Sequence, residues 1–257
     1  MFKKKHGKIA FLTYEWPLRD NFPTLVFIHS SGLTSQMWDK QLTGLSTVAN
    51  TIAVDLPGHG DSDPPGMETM KDYAAAVAEL IRELKAPNPI PCGLSIGGGI
   101  VQQMLLDHAD CAVAGILIGT GGRLRVASSI FETIENNYAD FVPLMEKYSF
   151  SPTATRECIE NINEIMRSCP PEVATGDFKA CHTFDVMNRL NEIEQPVLII
   201  SGADDQLTPG KYADFLEREI RSTTRVHLEN AGHMMPNEHP EQVNAAIRAF
   251  VEELDLA

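Results

Sequence analysis

Residues Gly93-Leu94-Ser95-Ile96-Gly97 form a G-x-S-x-G pentapeptide set between an apolar run of strand character at 89–94 and one of helix character at 96–108. A chain that turns from strand to helix so sharply holds the central serine in a strained backbone conformation, with its hydroxyl lifted above the sheet edge. Side chains two residues to either side would collide at such a turn. Glycine at 93 and 97 removes the colliding atoms. The turn also points the Ile96 amide, at the start of the helix, toward the space beside the hydroxyl, where it can donate to a developing oxyanion. Ser95 is therefore the candidate nucleophile, and an ordinary helix N-cap is the competing explanation.

Runs rich in Val and Ile recur at 8–15, 24–29, 50–56, 89–94, 113–118, 196–201 and, more weakly, 225–229. Segments of helical periodicity at 34–46, 70–84, 96–108, 211–221 and 239–254 fall between or after them. This alternation predicts an α/β fold with a mostly parallel central sheet flanked by helices, and ligand sites at the carboxyl ends of the strands. One interval departs from the rhythm. Residues 122–190 contain no convincing strand but show helical patterns at 126–136, 138–148, 153–168 and 172–184. The expected organisation is a core in two parts, 1–121 and 191–257, interrupted by a helical insertion at 122–190. Its apolar side chains, Phe131, Phe141 and Met145 among them, exceed what an isolated helical hairpin hides, so the insertion is expected to roof an apolar cavity as a lid. Simple packing on the core is the alternative.

A serine hydroxyl is a poor nucleophile at neutral pH and needs a base, and the base needs an orienting partner. Both candidates follow Ser95 in the chain. Gly202-Ala203-Asp204-Asp205 comes after the run at 196–201, and Gly232-His233-Met234 after the run at 225–229. Parallel connectivity brings both loops to the sheet edge that carries Ser95. Asp205, three residues after Gly202, is the expected acid, with Asp204 as the alternative. His233, beside the flexible Gly232, is the expected base, a surface histidine being the alternative. Ser31, two residues past the histidine that closes the run at 24–29, is placed to supply the second oxyanion amide. His29 is expected to brace that loop through the backbone, and His59, in the tight loop at 55–63, to be structural. His29, His182 and Met234 join the candidate pocket residues. Arg123 and Arg125 are candidates for a substrate carboxylate, against the simpler alternative of a salt bridge within an acidic protein.

The net charge of -14 repels a phosphate backbone and argues against a nucleic-acid partner. Five cysteines, an odd number without tight pairing, fit free thiols in a reducing compartment. No apolar stretch suits a membrane span or a signal peptide, so a cytoplasmic protein is expected. Metal or nucleotide cofactors are not expected, because no HxxxH or HxH spacing, P-loop or dinucleotide fingerprint is present.

The segments His29-Ser30-Ser31-Gly32, 55–63, 93–98, 202–209 and 230–241 together resemble the α/β-hydrolase fold superfamily, specifically its helical-lid esterase, lactonase and carbon–carbon hydrolase branch. The resemblance spans nearly the whole length. Ser30 stands where that superfamily commonly has glycine after the histidine. It implies a cofactor-free serine hydrolase of a small to medium carboxylic ester, working through an acyl-enzyme. Lactone or ring-fission diketone hydrolysis is the alternative, and a non-catalytic small-molecule binder the alternative of another class. The expected partner is the small-molecule ester or lactone, with monomer and homodimer both open.

Overall fold

Apolar runs without a polar face belong to strands covered on both sides. In the computed structural model, which describes residues 1–255, eight strands form one sheet. They are β1 (Phe2–His6), β2 (Ile9–Thr13), β3 (Thr24–Ile28), β4 (Asn50–Val54), β5 (Pro89–Leu94), β6 (Gly115–Ile118), β7 (Val197–Gly202) and β8 (Thr223–Leu228). The order is β1-β2-β4-β3-β5-β6-β7-β8. β1 and β2 run antiparallel to their neighbours, and every pairing from β4 to β8 is parallel. The helices are α1 (Asp39–Gly44), α2 (Met70–Glu83), α3 (Ile96–Asp107), α4 (Ser128–Asn136), α5 (Tyr138–Ser149), α6 (Arg156–Arg167), α7 (Pro171–Thr183), α8 (Lys211–Glu219), α9 (Met235–Glu238) and α10 (Pro240–Glu253). Residues 256 and 257 of the expected second core segment lie outside the described residues.

Strand alternation divides the core. Val26, Ile28, Ile52, Val54 and Ile199 pack with side chains of α2, α3 and α8, while Leu25, Phe27, Ala53, Leu198 and Ile200 pack with those of α1 and α10. Each large side chain so buried contributes about 1.5–3 kcal/mol. Between β6 and β7 the chain makes helices α4 to α7, a 3-10 turn at Met187–Glu192 and one isolated antiparallel bridge between Arg123 and Asp185. Phe141, Val142, Met145, Ile162, Met166 and Phe178 from this segment join the cluster on the α1 and α10 side.

The strand order positions the site. β4 lies on one side of β3 and β5 on the other, so the chain reverses direction across the sheet at β3 and β5. Such a switch point opens a crevice at the carboxyl ends of those two strands. The loop after β3 and the elbow after β5 both emerge there.

β1 lies outside the apolar runs read from the sequence, the first of which begins at residue 8. Its residues are mostly exposed, and it is an edge strand held by pairing with β2 and by ion pairs of Lys3 with Asp61 and Lys5 with Asp63, each at 2.6 Å. Cys111 is buried in a short 3-10 turn at Ala109–Cys111 before β6 begins. Among the described residues no helix is long and apolar enough to cross a membrane.

Candidate active site

The elbow is built by contact. A Cβ on Gly93 would run into the carbonyl group of Gly97 and meet the Gly98 nitrogen at 2.5 Å. One on Gly97 would strike the Ile28 carbonyl oxygen and come within 3.0 Å of the His29 oxygen. The start of α3 is thereby pressed against the end of β3, next to the loop carrying Ser31. Ser95 sits at the turn with φ 59° and ψ -115°, a left-handed conformation strained for a residue with a side chain. Its hydroxyl makes no capping bond to α3, so it is not an ordinary N-cap. The backbone is tied down instead. The Ser95 amide donates to the Ile118 carbonyl at 3.0 Å, and the Thr120 hydroxyl donates to the Ser95 carbonyl at 2.8 Å.

The loops after β7 and β8 meet at a buried pair. His233 Nδ1 lies 2.9 Å from Asp205 Oδ2, with both side chains almost wholly enclosed. Asp205 also accepts the amides of Leu207 and Thr208, each at 2.9 Å, and the Thr208 hydroxyl at 2.7 Å. Burial pushes its carboxyl up, but His233 and the Thr208 donors more than offset this and hold it at about 2. Asp204 gives its amide to the Ala231 carbonyl at 2.9 Å and no side-chain bond to the imidazole. His233 Nε2 is buried without a hydrogen-bond partner among the described residues. The loop that holds it is pinned by Glu238, which accepts the amides of Gly232 at 3.1 Å and Ser151 at 2.9 Å. Gly119, with φ 47°, leaves room for the pair. A Cβ there would stand 3.2 Å from Asp205 Oδ2 and 3.3 Å from His233 Nδ1.

Ser95 and His233 share one cavity of about 400 Å³ with Ser30 and Ser31. Its lining is largely apolar and includes Ile130, Leu144, Met145, Met166, Phe178 and Met234. The Ile96 amide begins α3 directly beyond Ser95, while the Ile96 side chain points into the core.

Of the candidate pocket residues, Met145 and Met234 line the cavity and five others do not. His29 is fully buried, its Nε2 accepting the Leu56 amide at 3.0 Å and its Nδ1 donating to the Ser30 carbonyl at 2.9 Å. It braces the loop from behind. Phe141 is enclosed between Tyr138 and Phe178. Phe131 packs edge-on against His182 at 5.9 Å, and the His182 ring turns to the Val126 carbonyl at 3.2 Å. Arg123 faces Asp185 at 3.8 Å on the surface, the outcome favoured by an acidic protein. Arg125 does line the cavity, with a hydrogen bond to the His182 carbonyl at 2.9 Å.

Thr208 and Gly119 escaped the sequence reading. The three-residue step from Asp205 to Thr208 was a usable signal, since a hydroxyl at that offset can turn back onto the carboxylate. Gly119 had none, because its partners arrive from two distant loops. Among the described residues there is no cluster of three or more His, Cys, Asp or Glu side chains that could hold a metal ion.

A family model described as the alpha/beta hydrolase family matches residues 25–246. The pimeloyl-[acyl-carrier protein] methyl ester esterase of Nitrosomonas europaea is 27% identical over 238 residues, covering 86% of this chain and 93% of the relative. The 3-oxoadipate enol-lactonase 1 of Acinetobacter baylyi is 25% identical over 263 residues, covering 99% and 97%. The solved structure of a thermophilic esterase superposes with a TM-score of 0.82 at 28% identity, covering 95% of this chain and 93% of that one.

Proposed function

The chain belongs to the alpha/beta hydrolase family, and from that membership we propose a serine hydrolase that cleaves a small to medium carboxylic ester through an acyl-enzyme. The observation that carries this reading is the convergence of a strained Ser95 and an Asp205-oriented His233 on one cavity with a largely apolar lining.

In this reaction Ser95 Oγ attacks the ester carbonyl carbon while His233 Nε2 takes its proton. The Asp205 carboxylate keeps the Nδ1 proton in place and stabilises the imidazolium that forms. The amides of Ser31 and Ile96 hold the oxyanion of the tetrahedral intermediate, each donor worth about 3–4 kcal/mol in the transition state. His233 returns its proton to the departing alkoxide, and water repeats the sequence to free the acid. No cofactor is required. The helices of 122–190 act as a lid whose apolar wall selects the acyl or alcohol group. Five free thiols suit a reducing compartment and support the reading of a cytoplasmic protein.

Lactone hydrolysis is the second reading, favoured by the near full-length similarity to the 3-oxoadipate enol-lactonase. It uses the same groups, with the leaving alkoxide still tethered to the acyl part. The experiment is a panel of p-nitrophenyl esters and lactones on the wild type and Ser95→Ala, with intact mass after a fluorophosphonate. The expected result is one adduct on the wild type and a loss of turnover of at least about 10³-fold in the variant. Absence of both adduct and turnover identifies a binder on a hydrolase scaffold.

A further inference from the structure

Away from Ser95, a charged group is buried against the oxyanion loop. Asp177 of α7 is wholly enclosed, and its carboxylate collects three donors from the core. Oδ2 accepts the Gly32 amide at 2.8 Å and lies 3.0 Å from His59 Nε2, and Oδ1 accepts the Tyr73 hydroxyl at 2.7 Å. The proton inventory follows from these contacts. Tyr73 already accepts the Met67 amide at 3.1 Å, so its own proton goes to Asp177. His59 has an acceptor at each nitrogen, the second being the Pro57 carbonyl at 3.2 Å from Nδ1. A neutral imidazole donates only once. An imidazolium donating from both nitrogens beside a carboxylate satisfies every one of these contacts. Burial alone would neutralise both groups, yet their mutual attraction raises His59 well above its usual value and lowers Asp177.

Peptide geometry carries this network to the proposed oxyanion donor. A trans peptide is planar with its C=O and N–H pointing opposite ways, so fixing one end fixes the other. The Ser30 carbonyl is held by His29 at 2.9 Å and by the Leu33 amide at 3.1 Å, which sets the direction of the Ser31 N–H in the same plane. The next plane, Ser31–Gly32, is held at its N–H by Asp177. Gly32 itself stands at φ 69°, which a residue with a side chain adopts only with strain. One turn further along α7, Cys181 rests its sulfur 3.8 Å from the Ser31 hydroxyl. One face of α7 thus grips the loop at consecutive residues.

We propose that Asp177 is a positioning residue for ester hydrolysis: from the helical segment over the cavity it fixes the Ser31–Gly32 peptide, and so restricts rotation about the Ser31 backbone and steadies the adjoining Ser30–Ser31 peptide that presents the Ser31 amide to the oxyanion. His59 and Tyr73 keep the carboxylate ionised and oriented. The contacts of Asp177 and Cys181 with this loop depend on α7 lying where it does, which ties the second oxyanion donor to the packing of that helix. This inference rests on the hydrolase reading.

The test compares Asp177→Ala and Asp177→Asn in the full chain, with active sites counted by fluorophosphonate titration. Turnover of a short p-nitrophenyl ester is measured beside the affinity for a trifluoromethyl ketone, which forms a tetrahedral oxyanion on Ser95. The alanine variant is expected to lose roughly 10- to 100-fold in kcat per titrated site, with KM changed less than about threefold. Its ketone inhibition constant rises by the same factor. Asparagine still offers the Gly32 amide an acceptor and recovers most of the loss. Asp177→Ser, which leaves room for water beside His59, replaces alanine if that protein does not fold. Unchanged kcat and ketone affinity in the variant, or equal losses in alanine and asparagine, overturn the proposal. An inert Ser95→Ala beside an active wild type shows in the same assay that the hydrolase reading stands, so the two failures are separable.

Discussion

Asp205 sets burial against charge, and charge wins. Its carboxyl is held at about 2 against an ordinary value of 3.8, so the folded state prefers the ionised form. A group lowered in this way adds stability that is complete above the unfolded value and disappears as the pH falls through the folded one. The contribution is about 2 kcal/mol, fading between roughly pH 4 and pH 2. Asp205→Asn should therefore flatten the acid limb of thermal stability measured from pH 5 to 2. It should also lower kcat near neutral pH by about 10⁴-fold, because the imidazole loses its orienting charge and its tautomer. An acid limb identical to that of the wild type contradicts the depressed carboxyl. The placement of the candidates Ser95, Asp205 and His233 was legible in the sequence, because glycines at fixed offsets and strand ends announce each of them locally. The cavity wall was not. Phe141 and Met145 are apolar residues of one helix, yet Phe141 lies wholly in the core while Met145 reaches the cavity, and only packing distinguishes them. Asp177 was invisible for a related reason, since its partners His59 and Gly32 lie 118 and 145 positions away.

The elbow between β5 and α3 is the element on which the site depends, and its glycines are needed for space. At Gly97 a methyl group would meet backbone oxygens of Ile28 and His29, which cannot rotate aside as a flexible side chain can. Gly97→Ala is expected to cost about 3 kcal/mol of stability in urea unfolding. It should also push the start of α3 away from the Ser31 loop, so that turnover falls further than Ser95 accessibility to a fluorophosphonate. Wild-type stability in this variant would mean that the elbow and β3 are less tightly joined. Helical elements were readable because their apolar residues recur with a 3.6-residue period. The patterns at 126–136, 138–148, 153–168 and 172–184 correspond to α4, α5, α6 and α7 within a few residues. β1 was not readable, because an edge strand exposed on its side chains needs no apolar alternation, and Phe2-Lys3-Lys4-Lys5-His6 shows none. The helix expected at 34–46 forms as a 3-10 turn at Ser35–Trp38 followed by α1. Thr34 caps the turn by accepting the Gln36 amide at 3.4 Å.

At the scale of the whole molecule, the charge of -14 surrounds a cavity that contains Arg125 on its wall and, among the described residues, no aspartate or glutamate. The long-range field therefore opposes an anionic substrate while the local one attracts it. Salt separates the two effects. The Debye length shrinks from about 30 Å at 0.01 M to about 8 Å at 0.15 M, which screens distant acidic groups before a contact inside the cavity. For a p-nitrophenyl half-ester of a dicarboxylic acid, kcat/KM should rise with ionic strength over that range, and for a neutral ester of equal length it should stay level. Arg125→Gln isolates the local part. A partly exposed ion pair is worth up to about 1 kcal/mol, so KM for the half-ester should rise about fivefold and KM for the neutral ester less than twofold. Arg123→Gln serves as the control, because Arg123 is engaged with Asp185 outside the cavity and should move neither value. A salt response that is the same for both esters would show that overall charge does not reach the cavity. An equal rise in KM for both esters in Arg125→Gln would mean that this side chain shapes the wall without reading a carboxylate. The acidic surface would then bear on solubility alone, and the apolar wall would be left to select the substrate.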